Sequence, residues 1–491
     1  MRSRFGNIPP THPAMLVKKD PSFLLSYLED SSNLKGGYTD RVVIPENVRE
    51  LASVLKEANS GKIPVTISGA GTGQAGGRIP FGGIVLSLEK LNAMGEIKKL
   101  EKGGSVRAEA GVIIKDLKES CERKGLFYTY DPTEQAAFLG GTIATNAQGA
   151  RAFRYGPTRR CVKALTVVLA SGEILKLERG AVKAKGRVID FESGNKCYKI
   201  ELPAYKMPGT KNSAGYYVED NMDLIDLFIG QEGTLGVIAE AELELPDKPK
   251  GIFACFAFFE KDNDAWNFAA CAGRAGPLSV EYFDANCLRL LQHKYGNVPL
   301  VARAAIFFED EITLSEDSVL KKWDALLSRH DVSQDNTWVA TSENMCRQFL
   351  EKRRYIPEEM NDMARRTGFP KVSTDLAVPR KNLSDMLKCY SDGLGRSGLR
   401  HFVFGHIGDA HLHVNMLPSG KNDYNRAKSL QLDFVKKSVS LGGTVSAEHG
   451  IGKTKKEFLK LLYGEEGVKE MKKVKLALDP NFILGIGNLF D

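Results

Sequence analysis

Apolar positions recur at two different periods along this chain, and the switches between them predict its elements. Arg41–Ile44, Ile63–Ser68 and Ile84–Leu88 are short apolar runs bounded by turn residues, which predicts strands. Between the first two, Val48, Leu51, Leu55 and Ala58 recur at helical spacing and predict a helix over Glu46–Asn59. Val106–Ala110 and the helical run Val112–Arg123, with Ile114, Leu117 and Cys121 on one face, repeat the theme. From about residue 35 to 130 the pattern is therefore α/β. Ala164–Ala170 and Glu173–Leu175 flank Ser171-Gly172 and predict a hairpin, whereas residues 176–215 are basic, irregular and expected to form a long surface loop. Phe228–Leu245 reads as a loop and then a strand. Pro246-Asp247-Lys248-Pro249-Lys250 is the best domain boundary. Beyond it, strand-like runs (Ile252–Phe259, Ala304–Phe308, His401–His406) alternate with helical ones (Trp266–Ala275, Ser315–Arg329, Tyr424–Ser440). The last stretch is lysine-rich and helical as far as Leu478-Asp479-Pro480, a pattern that predicts a solvated face.

Composition narrows the class. The chain has 491 residues, 42% hydrophobic and 26% charged, which suits two or three globular domains and argues against disorder or a membrane bundle. No apolar run reaches the ~18–20 residues of a spanning helix. The early arginines of MRSRFGNIPPTHPAM have no apolar stretch behind them, so no secretory signal is expected. A net charge of +7 permits attraction to an anionic substrate or acidic partner but is too small to imply nucleic-acid binding. Eight scattered cysteines without a CxxC pair exclude an iron–sulfur or zinc-ribbon protein and suit a reducing compartment. We therefore expect a cytoplasmic protein, peripheral on the inner face of the membrane only through a partner subunit.

The 48 glycines cluster. Ser68-Gly69-Ala70-Gly71-Thr72-Gly73-Gln74-Ala75-Gly76-Gly77 contains GxGxxG, the dinucleotide fingerprint. That fingerprint needs a helix immediately after it, and here Arg78-Ile79-Pro80-Phe81-Gly82-Gly83 leads to another strand. What survives is a concavity of backbone N–H groups, a cradle for pyrophosphate that uses no helix dipole. A plain strand-to-strand connection explains the first loop equally well. A second stretch runs through Pro132, Thr133, Gly140, Gly141, Thr142, Ala144, Thr145, Asn146, Gly149 and Tyr155. A third is Gly230–Ile238, GQEGTLGVI.

Histidines cluster too. Five of the eight fall between His401 and His449, four of them in GHIGDAHLHVN and SAEHGIG. His406 and His413 would face opposite sides of one straight strand, but Gly408-Asp409 offers a turn that brings them together. His411, His413 and Asn415 share strand parity, and Glu448 adds a carboxylate beside His449. Two imidazoles and a carboxylate with positions left open describe a catalytic divalent metal site. A lone histidine is usually a satisfied core or surface residue; five so concentrated beside glycine turns are not.

The three glycine stretches resemble the FAD-binding domain of the vanillyl-alcohol-oxidase/p-cresol-methylhydroxylase flavoproteins. With GH-x-G-D-x-x-LH-x-N, EHGIG and the closing LDPNFILGIGNLF, about Tyr38 to Phe490 resembles one branch of it: D-lactate dehydrogenases, the FAD subunit of glycolate oxidase and D-2-hydroxyglutarate dehydrogenases. The resemblance implies an α+β chain. Residues 1–37 would be an extension and 38–248 a two-part FAD-binding domain. Residues 249–450 would form an α+β substrate and metal-binding cap with an antiparallel sheet, and 451–491 a helical segment returning to the FAD domain. It implies FAD contacts from the first two stretches, from Glu232, Gly233, Gly236, Val237 and Ile238 in the third, and from Asn488. Members with a covalent flavin carry a histidine after the first glycines. Thr72 and Gly73 stand there instead, so FAD is expected to be non-covalent. The resemblance also implies zinc, with iron or manganese as alternatives, on His406, His413 and Glu448. Asn415 and His449 would then face the substrate, and Arg353 or its neighbour Arg354 would clamp a carboxylate.

Two departures are visible. Ala410 and His411 stand where many members have Gly-Asn. The lysine some members place before Asp-Leu is Ser373 or Thr374 here, with Lys371 displaced, which favours a small monocarboxylate over 2-hydroxyglutarate. The expected reaction is oxidation of a small D-2-hydroxy acid, His449 acting as base. Electrons would leave to an external acceptor: an iron–sulfur subunit, an electron-transferring flavoprotein, a quinone or a cytochrome. The rivals are an alkylglycerone-phosphate synthase-like FAD enzyme and an electron-transfer subunit of a larger complex. Both a homodimer and a hetero-complex suit the sequence.

Overall fold

A computed structural model describes residues 16–129 and 134–491, in which three larger sheets and one hairpin carry the chain. The first sheet holds Leu16–Lys18, Arg41–Ile44, Ile84–Ser87 and Val65–Ser68, with the last three parallel. Helix Val48–Ser60 covers it, burying Leu51, Val54, Leu55 and Ala58, and Asn47 caps it by accepting from the amides of Arg49 and Glu50. A five-stranded antiparallel sheet follows in the order Lys98–Lys99, Gly104–Glu109, Val237–Leu245, Val162–Val168, Ile174–Glu178. Helix Ile114–Arg123 buries Ile114, Leu117 and Cys121, the face its periodicity predicts.

The largest sheet has eight antiparallel strands and helices on both faces. Ile252–Phe259 shows why. Phe253, Cys255, Ala257 and Phe259 enter one core with Phe268 and Trp323 of helices Asp262–Arg274 and Glu316–Ser328. Ala254, Phe256 and Phe258 enter the other with Leu288, Leu291, Phe349 and Ile356 of helices Ala285–Tyr295 and Glu343–Thr367. A strand buried on both faces reads as a continuous apolar run, and this one does. Across the sheet, Ser279–Asp284 pairs with His401–Gly405, which pairs with His411–Met416.

Two expectations fail. Residues 176–215 are not an irregular surface loop: Val188–Ser193 and Lys196–Glu201 form an antiparallel hairpin, and Lys211 is buried in the histidine cluster. The alternation of VIDFES and KCYKIE was hidden by its lysines and acids, which occupy the solvent face. The C-terminal helix Lys456–Leu478 is not solely a solvated face either. It buries Leu459, Met471 and Leu478, and Lys475 Nζ donates to the carbonyls of Thr234 and Leu484 at 2.8 Å. After it the chain returns to the first sheet, where the Val65 amide donates to Ile483 O at 2.7 Å. All eight cysteines are free thiols. Among the described residues, no helix is long and apolar enough to cross a membrane.

Candidate active site

One cavity of about 1120 Å³ runs from the glycine loops to the histidine cluster. It exceeds the ~300–1,000 Å³ of ordinary ligand pockets, as an extended ligand plus a substrate requires. Its near wall is backbone. Strand Val65–Ser68 ends in the loop from Gly69, which reaches strand Ile84–Ser87 with no helix between, so the fingerprint reading fails in the structure as well. Gly71 holds φ +84°, a left-handed conformation that side chains resist. Gly73 and Gly141 have nothing within 4 Å of where a Cβ would stand, so both leave open space to whatever fills the cavity.

Of the residues the sequence assigned to FAD, Gly69 through Gln74 line this cavity. So do Gly140, Gly141, Thr142, Ala144, Thr145, Gly149, Glu232, Gly233, Gly236, Val237, Ile238 and Asn488. Leu139–Ala144, in the second glycine stretch, is a short helix. Four assigned residues lie off the wall. Ser68 is fully buried in its strand, and Gly76 packs on Leu34. Asn146 accepts from the Arg159 amide at 3.1 Å, and Tyr155 donates to Glu311 at 2.5 Å. These four shape the loops from behind. Pro132 and Thr133 lie outside the described residues. Asn488 spends its amide inside the protein, donating to Gly77 O and Glu232 O and accepting from Lys453.

The far wall is side chains. Strand His401–Gly405 ends at His406, a turn through Ile407–Asp409 follows, and Ala410 takes φ +53° before His411–Met416 returns antiparallel. This turn brings His406 and His413 together, with ring centroids 5.8 Å apart. His406 Nε2 lies 2.9 Å from Glu448 Oε1, and His413 Nε2 lies 3.6 Å from Glu448 Oε2. Nitrogen and carboxylate atoms of His406, His411, His413 and Glu448 all fall within 4.8 Å of one another, a donor set that fits a divalent cation.

Three residues essential to this geometry were not assigned from sequence. Glu281 stands in the fully buried strand Ser279–Asp284, beside His406 because Tyr282 pairs with Gly405. Its Oε1 lies 2.5 Å from His406 Nδ1, and Arg353 donates to its Oε2 through Nε at 3.0 Å. Burial raises the Glu281 pKa, but Arg353 and His406 outweigh it and hold the carboxyl down to about 2. Burial likewise opposes charge on His406, yet Glu281 and Glu448 raise it to about 9. The signal was a glutamate set between Val280 and Tyr282-Phe283 in a strand buried along its whole length. Asp375 is the second. It accepts from the amides of Glu448 and His449, from Ser446 Oγ at 2.7 Å and from Lys455 Nζ at 3.0 Å. His449 Nδ1 lies 3.3 Å from its Oδ2. The third is Lys211, hydrogen-bonded to Glu448, with Asp409 3.9 Å away.

His449 and Asn415 both line the cavity, and Ser373 Oγ donates to Asn415 Oδ1 at 2.7 Å. Arg353 and Arg354 line it from helix Glu343–Thr367, on one stripe with Pro357, Asn361 and Ala364. Glu232, at φ +56°, ties the two ends together. Its carboxylate accepts from the amides of Ile451 and Gly452 at 2.8 and 2.7 Å, and burial pushes its pKa up to about 7.

Residues 39–178 match the family model "FAD binding domain", and residues 248–489 match "FAD linked oxidases, C-terminal domain". D-lactate dehydrogenase of Archaeoglobus fulgidus is 30% identical, over 91% of this chain and 90% of that one. The chain belongs to the FAD-linked oxidase family. This FAD-linked oxidase is also similar to the glycolate oxidase subunit GlcD of Bacillus subtilis, 29% identical over 95% of this chain and 92% of that one. D-2-hydroxyglutarate dehydrogenase of Xanthomonas citri pv. viticola is 28% identical, over 98% and 95%. Among solved structures, alkyldihydroxyacetonephosphate synthase aligns with a TM-score of 0.65 at 14% identity, covering 96% of this chain and 81% of that one. That last likeness is one of fold.

Proposed function

We propose that this oxidase converts a small D-2-hydroxy acid, of the D-lactate or glycolate type, to the 2-oxo acid and passes the electrons to an external acceptor. One observation carries the reading: a single cavity joins the glycine loops of an FAD-binding domain to a histidine–carboxylate cluster. The names of the relatives, glycolate oxidase subunit and D-lactate and D-2-hydroxyglutarate dehydrogenases, support the substrate class. FAD would lie along the glycine wall without a covalent bond, since Gly69–Arg78 holds no histidine, cysteine or tyrosine. A divalent cation, zinc by its nitrogen-rich donor set, would be held by His406, His413 and Glu448. Bound, the flavin supplies the two-electron oxidant and the cation supplies Lewis acidity at the hydroxyl.

The chain's own residues do the rest. His449 takes the hydroxyl proton at Nε2, because Nδ1 faces Asp375 and fixes the ring. Asp375 is itself fixed by Ser446 and Lys455, so the imidazolium that forms has a rigid counter-charge. Arg354 pairs the substrate carboxylate, since Arg353 already commits Nε and Nη2 to Glu281. Asn415 donates to a substrate oxygen from the strand that carries His413.

Lys371 favours a second reading. It lines the same cavity, and burial pushes its pKa down to about 8. A second carboxylate would relieve that burial, which points to a dicarboxylate such as 2-hydroxyglutarate. Anaerobic mixing with D-lactate, L-lactate, glycolate and D-2-hydroxyglutarate separates these readings by bleaching of the flavin band near ~450 nm. We expect D-lactate or glycolate to bleach it fastest. Bleaching by the dicarboxylate alone selects the second reading. If none of the four bleaches the band, the chain has no 2-hydroxy acid site of its own.

A further inference from the structure

Three imidazoles of the cluster are built alike. His406 turns Nε2 toward Glu448 and rests Nδ1 on the buried carboxylate of Glu281. His413 turns Nε2 toward Glu448 and holds Nδ1 3.3 Å from the carbonyl of Thr374. His411 repeats the plan with its nitrogens exchanged. Its Nδ1 lies 3.9 Å from Glu448 Oε1, and its Nε2 lies 3.1 Å from Asp375 Oδ1. An inner nitrogen aimed at a shared point, with the outer nitrogen on an oxygen acceptor, is how metal-ligating histidines are oriented.

His411 differs from the other two in one respect. It has no solvent exposure, and neither ring nitrogen makes a hydrogen bond of acceptable geometry among the described residues. Buried polar groups are normally satisfied, so an unsatisfied inner nitrogen facing a carboxylate and two imidazoles calls for a partner. The ring centroids of His411 lie 4.4 Å from His413 and 5.3 Å from His406, close enough for one ion to reach all three. Strand parity puts His411 and His413 on one face, and the left-handed turn at Ala410 delivers that strand back against His406.

We infer that His411 is a third imidazole ligand of the cation, through Nδ1, so that the donor set is three histidines and Glu448. This rests on the proposed function's reading of the cluster as a metal centre. Asp375 then has two roles: it stands as counter-charge 3.1 Å from the outer nitrogen of His411 and orients His449 beside it. A fourth protein donor also leaves fewer positions for a substrate, which shifts carboxylate recognition onto side chains such as Arg354.

The test uses the full FAD-loaded chain reconstituted with zinc. X-ray absorption at the zinc edge counts imidazoles by their outer-shell scattering, and a competing chelator measures affinity. The wild type should show three imidazoles. His411→Asn and His411→Gln should each show two, with affinity lowered at least ~10–100-fold. Flavin absorbance and melting temperature verify that both variants are folded, and the wild-type count decides the matter even if neither is. Two imidazoles in the wild type, or an affinity unchanged in both folded variants, overturns the inference while leaving a metal on His406, His413 and Glu448. Failure of the wild type to hold zinc, iron or manganese removes this inference and the metal in the proposed function together.

Discussion

The two ends of the cavity are made of different materials. The flavin end is a surface of glycines and backbone amides set by turns; the chemical end is a knot of buried charges set by side chains. At the first, Gly73 and Gly141 matter for the atoms they lack. At the second, His406, Glu281, Arg353, Glu448 and Lys211 form one chain of opposite charges whose side chains are largely buried. Backbone surfaces tolerate change in the side chains around them. A buried charge network does not, because removing one member leaves another unpaired in low dielectric.

Glu281 is where this difference should be largest. Replacing it as Glu281→Gln leaves Arg353 without its counter-charge and keeps one acceptor oxygen where Arg353 and His406 now use two. We expect a stability loss of about 3–5 kcal/mol by denaturant unfolding and metal affinity lowered ~10–100-fold. The double variant Glu281→Met with Arg353→Met should recover much of the stability and none of the metal affinity. If the single variant is as stable as wild type, the far wall is not the fragile one, and the comparison breaks.

The two walls also differed in legibility. Glycine strings and the paired histidine motifs name themselves, since their chemistry needs particular residues at particular spacings. Glu281, Asp375 and Lys211 were not assigned, because outer partners need only a charge at the right place in space. Glu281 meets His406 across two strands that are more than a hundred residues apart in sequence. Lys211 arrives from a basic stretch whose hairpin was masked by its surface charge. Elements with clean periodicity, such as Val48–Ser60 and Ile252–Phe259, were visible to within a residue or two. Helix Glu343–Thr367 was not. Pro357 sits inside it, and its cavity-facing stripe is charged where a core-facing stripe would be apolar.

Adjacent glycines sharpen the flavin side. A Cβ on Gly140 would stand 2.6 Å from Ala110 Cβ, whereas one on Gly141 would meet nothing within 4 Å. Gly140→Ala should therefore lower the melting temperature of the apoprotein by several degrees, from about 1–3 kcal/mol of overpacking. Gly141→Val should leave that melting temperature within about 2 °C and weaken FAD binding roughly tenfold or more in a flavin-fluorescence titration. Equal effects of the two on FAD affinity alone would mean that the wall beside Gly141 does not face the cofactor.

Glu232 joins the two ends, and pH probes it most gently. Its carboxyl is buried with its pKa pushed up to about 7, above the ordinary value of 4.5, although the Ile451 and Gly452 amides donate to it. A group whose pKa is raised on folding binds its proton more tightly in the native state. Its contribution is thus complete below pH ~4.5 and is lost as pH climbs through ~7, on the order of 3 kcal/mol across that window. Glu232→Gln carries no titrating proton, so its stability should vary less between pH 5 and 7.5 than that of the wild type. It should still keep one of the two amide bonds through Oε1. Urea unfolding at a series of pH values measures the difference between the two slopes. Parallel curves for variant and wild type would place the Glu232 titration outside this range and leave the link between the walls to its hydrogen bonds alone.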